Sequence, residues 1–214
     1  MIDVQIAIIF AFVLSLAIAI IGHEIMHGWV AYRYGDTTAK SQGRLSINPL
    51  VHIDPIGTIA VPALLYFTGA PFLFGWAKPV PVDINTVTRN GGYGAAIAVA
   101  LAGITYNLVL AVFTATLLPL VTHPEGIVTA FGYFFLRQLM LINVYLAVFN
   151  LWPIPPLDGA MALRYFAAWM GWHRMAAWIE QIYPYGMILL MVIIATPIGD
   201  YMFRPAIWLL GLIL

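Results

Sequence analysis

Charge is what this chain has least of: Asp, Glu, Lys and Arg make up 8% of its 214 residues, against about one quarter in an ordinary soluble domain. A water-facing surface cannot be built from so few. With 63% hydrophobic residues and a mean hydropathy of +0.93, the composition is that of an integral membrane protein. Cysteine is absent altogether. That excludes disulfides, iron–sulfur clusters and thiolate zinc sites, so any metal must be held by imidazole, carboxylate or water. Nine Lys and Arg balance nine Asp and Glu, and no basic run offers a footprint for nucleic acid. There is no internal repeat and no low-complexity tract. The N-terminus lacks a basic leader and a small-residue cleavage signal, so the first apolar segment is expected to be retained. No stretch of soluble-domain size lies outside the apolar runs, and residues 1–214 are expected to form one membrane-embedded domain.

What the chain has instead is long uncharged runs. Val4 to Gly22 is nineteen residues without a charge, enough to begin a membrane-spanning helix, expected from about Val4 to Tyr34 and stopped at Gly35-Asp36. A second span is expected over 91–121, where Gly94, Ala95, Ala98, Ala102 and Gly103 permit close helix approach. After a turn at His123–Gly126 a third span runs over roughly 127–152, interrupted by Arg137. A short helix is expected at 160–170, a fourth span at about 177–197, and an apolar tail at 205–214. Between the first two spans, residues 36–55 are polar and broken by Gly and Pro. The run "IGTIAVPALLYFTGA" (56–70) is short and contains Pro62, and "FGWAKPVPVDIN" carries Pro79 and Pro81, which favour extended backbone. The fold class expected is an all-α polytopic bundle of about five or six membrane segments, with a small re-entrant, β-containing loop region after the first helix.

Three ionisable residues close the first span: "HEIMH" places His23, Glu24 and His27 next to nineteen uncharged positions. Ionisable groups at that depth are costly and need a reason. On a helix, positions i and i+4 are offset by about 40° and about 6 Å along the axis, so both imidazoles share a face and can meet on one ion. Glu24 flanks that ion without ligating it, as suits a general base. Two packing histidines with a satisfied glutamate are the bland alternative; the uncharged context favours a metal, with zinc first.

Two histidines leave zinc short of a third protein ligand. The candidates are His52, Asp54, Asp83, His123, Glu125, Asp158, His173, Glu180 and Asp200. Most lie in polar loops. Asp158 stands apart, a single carboxylate in the apolar "NLWPIPPLDGAMALRYF"; an Asp-Gly turn or helix cap is the competing reading.

Taken together, "HEIMH", "AGITYN" and "FNLWPIPPLDG" resemble the site-2 protease family of intramembrane zinc metalloproteases, in its short bacterial and archaeal form without PDZ or CBS domains. The likeness covers about residues 15–170 and extends to "NPLVHIDPIGT" and "FGWAKPVPVD". It implies one Zn2+ per chain on His23, His27 and Asp158, with Glu24 as base. It also implies that Asn107, from the family's Gly-Pro-x-x-Asn element, lies near the substrate. Here Ile104 replaces the Pro of that element. The implied partners are a membrane-protein substrate and the lipid bilayer.

Topology supplies a check independent of the family. If His23, His27 and Asp158 share one ion, the chain crosses the membrane an even number of times between them. Spans 91–121 and 127–152 already make two, so 56–70 is expected to be re-entrant or interfacial. Arg33, Lys40, Arg44, Lys78 and Arg89 then fall on one side, the cytosolic one by the positive-inside rule, with the N-terminus outside and the metal toward the cytosol. Arg137 has Glu125, Glu180, a headgroup region or a polar cavity as possible surroundings. "AKPVPVDIN" reads either as a proline-stiffened loop or as an edge for an added substrate strand. A catalytically idle scaffold or a metal transporter would use the same His/Asp set; the former could lose Glu24, and the latter needs ligands repeated along a path.

Overall fold

The computed structural model describes residues 2–70, 72, 74–121 and 126–213, with side chains from Gln5 onward. The turn at His123, with His123 and Glu125 as candidate ligands, lies outside the described residues. Four long apolar stretches of helix reach membrane-spanning length, Gln5–Arg33, Ile84–Val121, Ile127–Leu151 and His173–Ile194, and the shorter apolar stretch Pro55–Phe67 does not. This is a multi-pass, all-α membrane protein. No strand occurs among the described residues.

The core is a three-helix packing of α1 (Ile2–Arg33), α4 (Ile84–Leu117) and α5 (Ile127–Leu151). Lipid gives helices no hydrophobic reason to associate, so close contact between small side chains must hold them. Along α1 the buried positions Ala11, Ser15, Ala19, His23 and Ala31 recur at multiples of four residues, one stripe on one face. α4 answers with Ala95, Ala96, Val99, Gly103, Asn107 and Ala111. The opposite face of α1 stays apolar and exposed, with Ile6, Ile9, Phe10 and Val13, as a lipid-facing surface requires. α4 is bent at Gly92, whose φ of 68° is open to glycine at little cost. The bend falls where the uncharged run begins. Helical geometry continues through Ile104, which is buried.

Between the spans, α2 (Thr38–Ser41), a 3₁₀ turn at Pro49–His52, a π-helical turn at Pro55–Ala60 and α3 (Val61–Phe67) follow in order. Pairing that could have made a strand is confined to two backbone bonds, Trp76 N–H to the Gly57 carbonyl and Lys78 N–H to the His52 carbonyl. Pro79 and Pro81 remove the donors a ladder would need. After α5, α6 (Asp158–Trp169) packs on α4; α7 (His173–Ile182) and α8 (Gly186–Ile194) continue through a 3₁₀ turn, and α9 (Ile198–Ile213) packs on α5. Arg137 is exposed. Its suggested partner Glu180 pairs with Arg164 instead, at 2.8 Å.

The loops on either side of the Pro55–Phe67 segment are joined directly. Asp83 N–H donates to Asp36 Oδ2 at 2.7 Å, and Asn90 Nδ2 donates to the Tyr34 carbonyl at 2.8 Å. Both loops therefore emerge on one face. Single cysteines at the exposed positions Ser41 and Asn85, in a chain without native cysteine, are expected to react with impermeant thiol reagent from the same side of the membrane; labelling from opposite sides would make Pro55–Phe67 a true crossing.

Candidate metal centre

His23 and His27 lie on the last three turns of α1, and Asp158 opens α6. Their ligand atoms form a triangle. The two Nε2 atoms are 3.1 Å apart, and Asp158 Oδ2 is 3.0 Å from Nε2 of His23 and 3.4 Å from Nε2 of His27. Ligand atoms at tetrahedral zinc, with bonds of about 2.0–2.1 Å, are separated by about 3.3 Å. Asp158 does not cap α6; the N-cap position is Leu157, without a side-chain cap.

Proton accounting shows what the triangle needs. His23 Nδ1 meets Asn107 Oδ1 at 2.6 Å, and His27 Nδ1 meets the Val99 carbonyl at 2.7 Å. Both partners only accept, so each ring carries its proton on Nδ1 and presents a bare lone pair at Nε2. With both rings neutral, two lone pairs and a carboxylate oxygen then face each other within 3.4 Å. Oδ2 of Asp158 is buried without a hydrogen-bond donor. A cation is what this donor set fits, and nitrogen–oxygen ligation in a tight triangle suits zinc. Among the described residues this is the one group of three or more potential ligands placed to hold an ion.

α4 builds the setting at four-residue intervals. Val99 supplies the acceptor for His27, Asn107 the acceptor for His23, and Gly103 between them leaves room for the His23 ring: a Cβ at Gly103 would lie 2.5 Å from Cε1. Gly103 was legible in the sequence as a packing residue, not as part of this site. Asn107 is fully buried and lies apart from the cavity lining. It touches His23, one of the candidate ligands.

Glu24 lines the same cavity, of about 610 Å³, together with His23, His27 and Asp158. Its Oε2 accepts from Val80 N–H at 2.9 Å. The extended strap that carries Val80 is braced on the far side, where buried Arg44 donates through Nη2 to the Lys78 carbonyl at 2.7 Å. Between Lys78 and Pro81 every backbone donor is either occupied or absent, so the strap serves as a stiff wall of the site.

The remaining ligand candidates have structural work. His52 is buried and bonded to the Ser46 carbonyl. Asp54 caps the Pro55 turn through Ile56 and Gly57 N–H, and Asp83 caps α4. A hydrogen bond from the Thr86 hydroxyl holds the Asp83 carboxyl below the usual carboxylate range. His173 and Asp200 are exposed. Residues that sequence reasoning passed over are Asn143, whose Oδ1 accepts from Asn107, and Val80, whose N–H gives no sequence signal.

Comparison with known proteins agrees with this chemistry. The profile described as Peptidase family M50 matches residues 122–194, the part that contains Asp158. The protein named "Putative zinc metalloprotease YwhC" from Bacillus subtilis is 36% identical over 199 residues, 90% of this chain and 84% of the relative. MJ0611 of Methanocaldococcus jannaschii, named likewise, is 35% identical over 161 residues, 73% of this chain and 72% of its own length. Rip2 of Mycolicibacterium smegmatis, again a zinc metalloprotease by name, is 29% identical over 97% of this chain and 74% of the relative. No solved structure matches. Identity at this level over nine-tenths of the chain settles the lineage: it belongs to peptidase family M50, the site-2 protease family of zinc metalloproteases.

Proposed function

We propose that the chain is an intramembrane zinc endopeptidase that hydrolyses peptide bonds in or near transmembrane segments of other membrane proteins, with residues 1–214 acting as one domain. One observation carries the reading. Three potential ligand atoms meet within 3.4 Å on a membrane-length helix and the helix start facing it, and a carboxylate outside that triangle lines the same cavity.

His23, His27 and Asp158 would hold the zinc, one ion per chain. Bound there, the ion would supply Lewis-acid chemistry, lowering the pKa of a water toward about 7. Glu24 is the general base. Val80 N–H fixes Oε2, which leaves Oε1 to accept the proton of the attacking water and to return it to the leaving amine nitrogen. Asn107 acts through His23, by holding its ring and tautomer. Apolar walls from Phe74, Trp76, Leu146, Phe149 and Met161 accept a lipid-soluble segment once it unwinds. The five Lys and Arg between the end of α1 and the start of α4 support an orientation with the metal toward the cytosolic face and the N-terminus outside. A transporter would repeat such ligands along a path, and the described residues hold one such group.

Three outcomes test this reading. Purified protein should contain about one zinc per chain, and elemental analysis should find it lost from the His23→Ala/His27→Ala variant; retention there would remove these residues from the metal site. Glu24→Gln should keep its zinc while cleavage of a membrane-embedded substrate falls by about 10²–10⁴-fold. Undiminished cleavage would mean that Glu24 is not the base. Gly103→Ala should displace the His23 ring and deplete zinc although it adds only a methyl group between helices; a variant with full zinc content would show that α4 does not set the ligand's position.

A further inference from the structure

We propose that Asn143, on α5, is a positioning residue for the metal ligand His23, acting at one remove by deciding which end of the Asn107 amide faces the imidazole. The inference rests on the zinc reading of His23. An amide has a donor end and an acceptor end of nearly the same shape, so a buried Asn can sit either way round, and only its neighbours choose. At Asn107 the choice has a chemical consequence. With Oδ1 toward His23, the ring proton sits on Nδ1 and Nε2 is bare for the metal. With Nδ2 toward His23, Nδ1 becomes the acceptor, and the proton moves to Nε2, the atom that must ligate.

The choice is made by a one-way chain of hydrogen bonds. The Leu139 carbonyl has no proton to give, so Asn143 turns Nδ2 to it, at 2.7 Å. That leaves Asn143 Oδ1 pointing at α4, where it meets Asn107 Nδ2 at 2.7 Å. The same Nδ2 reaches the Ala19 carbonyl of α1 at 3.2 Å, a longer and weaker contact. Asn107 Oδ1 is thereby aimed at His23 Nδ1, 2.6 Å away. A reversed Asn107 would set its oxygen against two acceptors at once. Asn143 and Asn107 are fully buried and His23 nearly so, so no water takes up a mismatched end. Asn143 touches neither the metal triangle nor the cavity. Its effect on the metal passes through Asn107 alone.

The test separates tautomer control from helix packing. Asn143→Leu keeps the volume and removes the acceptor; zinc affinity by chelator competition should fall about 10–100-fold, as for other outer partners of ligating histidines. The visible spectrum of the cobalt-substituted protein should change as well. Asn143→Asp should bring affinity back toward wild type, because a neutral carboxyl in this site donates to the Leu139 carbonyl and still accepts from Asn107. The Asn107→Asp/Asn143→Leu double variant should bind zinc as Asn107→Asp alone does, since a carboxylate at 107 accepts from His23 whichever way it lies. Unchanged zinc affinity and cobalt spectrum in a folded Asn143→Leu protein would overturn the proposal, as would losses that simply add in the double variant. One measurement needs no variant: ¹⁵N spectra of histidine-labelled wild-type protein should place the proton of neutral His23 on Nδ1, and an Nε2-protonated His23 would overturn it. Wild-type protein that binds no zinc would defeat the metal reading, while the tautomer result would still stand or fall separately.

Discussion

The constraint on which this structure depends is that lipid supplies no protons and accepts none. An unpaired amide transferred to hydrocarbon costs about 4–8 kcal/mol, so every polar atom near the middle of the bundle must find a partner inside the protein. Around His23 and His27 that requirement fixes both ring protons on Nδ1, against Asn107 and Val99. The chemistry of the site follows by subtraction. Once both outward nitrogens are spoken for, two Nε2 atoms and one carboxylate oxygen are left pointing at each other, a donor set that a shared cation fits.

That accounting works only if α4 comes close enough to α1 to reach the rings. Glycine and alanine supply the closeness. Gly103 has no room for a Cβ beside His23, and Gly22 has none beside Tyr106. The stripe of Ala11, Ser15 and Ala19 brings the helices together over the turns below. Packing and catalysis therefore share the same residues, and a methyl group added for stability would be added at the expense of the metal. On the outer side, the polar loop residues form a second layer. Asp36 ties the start of α4 to the end of α1, Arg44 holds the strap, and the strap's Val80 holds Glu24.

What could be read in the sequence divides along physical lines. The i and i+4 histidines, the isolated Asp158 and the uncharged runs were legible because a charge inside an apolar segment is rare and costly, so each one stands out against its surroundings. The short Pro55–Phe67 segment follows from proline and length, whereas the bend at Gly92 appeared only in the structure. Asn107 was legible as a residue of the site, and its contact with His23 appears only in the structure. Asn143 was not legible at all. An Asn in mid-helix has a ready explanation as an interhelical hydrogen bond, and the direction of its donor and acceptor ends appears only when Leu139, Asn107 and His23 are placed in space. The contact between Val80 and Glu24 was hidden for a different reason, since a backbone N–H carries no residue identity.

Under the proposed function, the strap also limits how a substrate segment can approach. Alternation along an extended chain sends the N–H groups of Trp76, Lys78 and Val80 to one side, where Gly57, His52 and Glu24 accept them. The other side carries Pro79 and Pro81, which have no N–H. Between Lys78 and Pro81 the strap therefore offers an incoming strand carbonyl acceptors without a free donor. A peptide that pairs with it through donors alone keeps its own carbonyls unpaired, and an unpaired carbonyl is what a hydrolytic site must be given. The Lys78 and Val80 N–H groups point the other way, toward the His52 carbonyl and Glu24. The two prolines thus do more than stiffen the loop: they leave that edge with acceptors alone, while the N–H that holds Glu24 stays engaged on the opposite side.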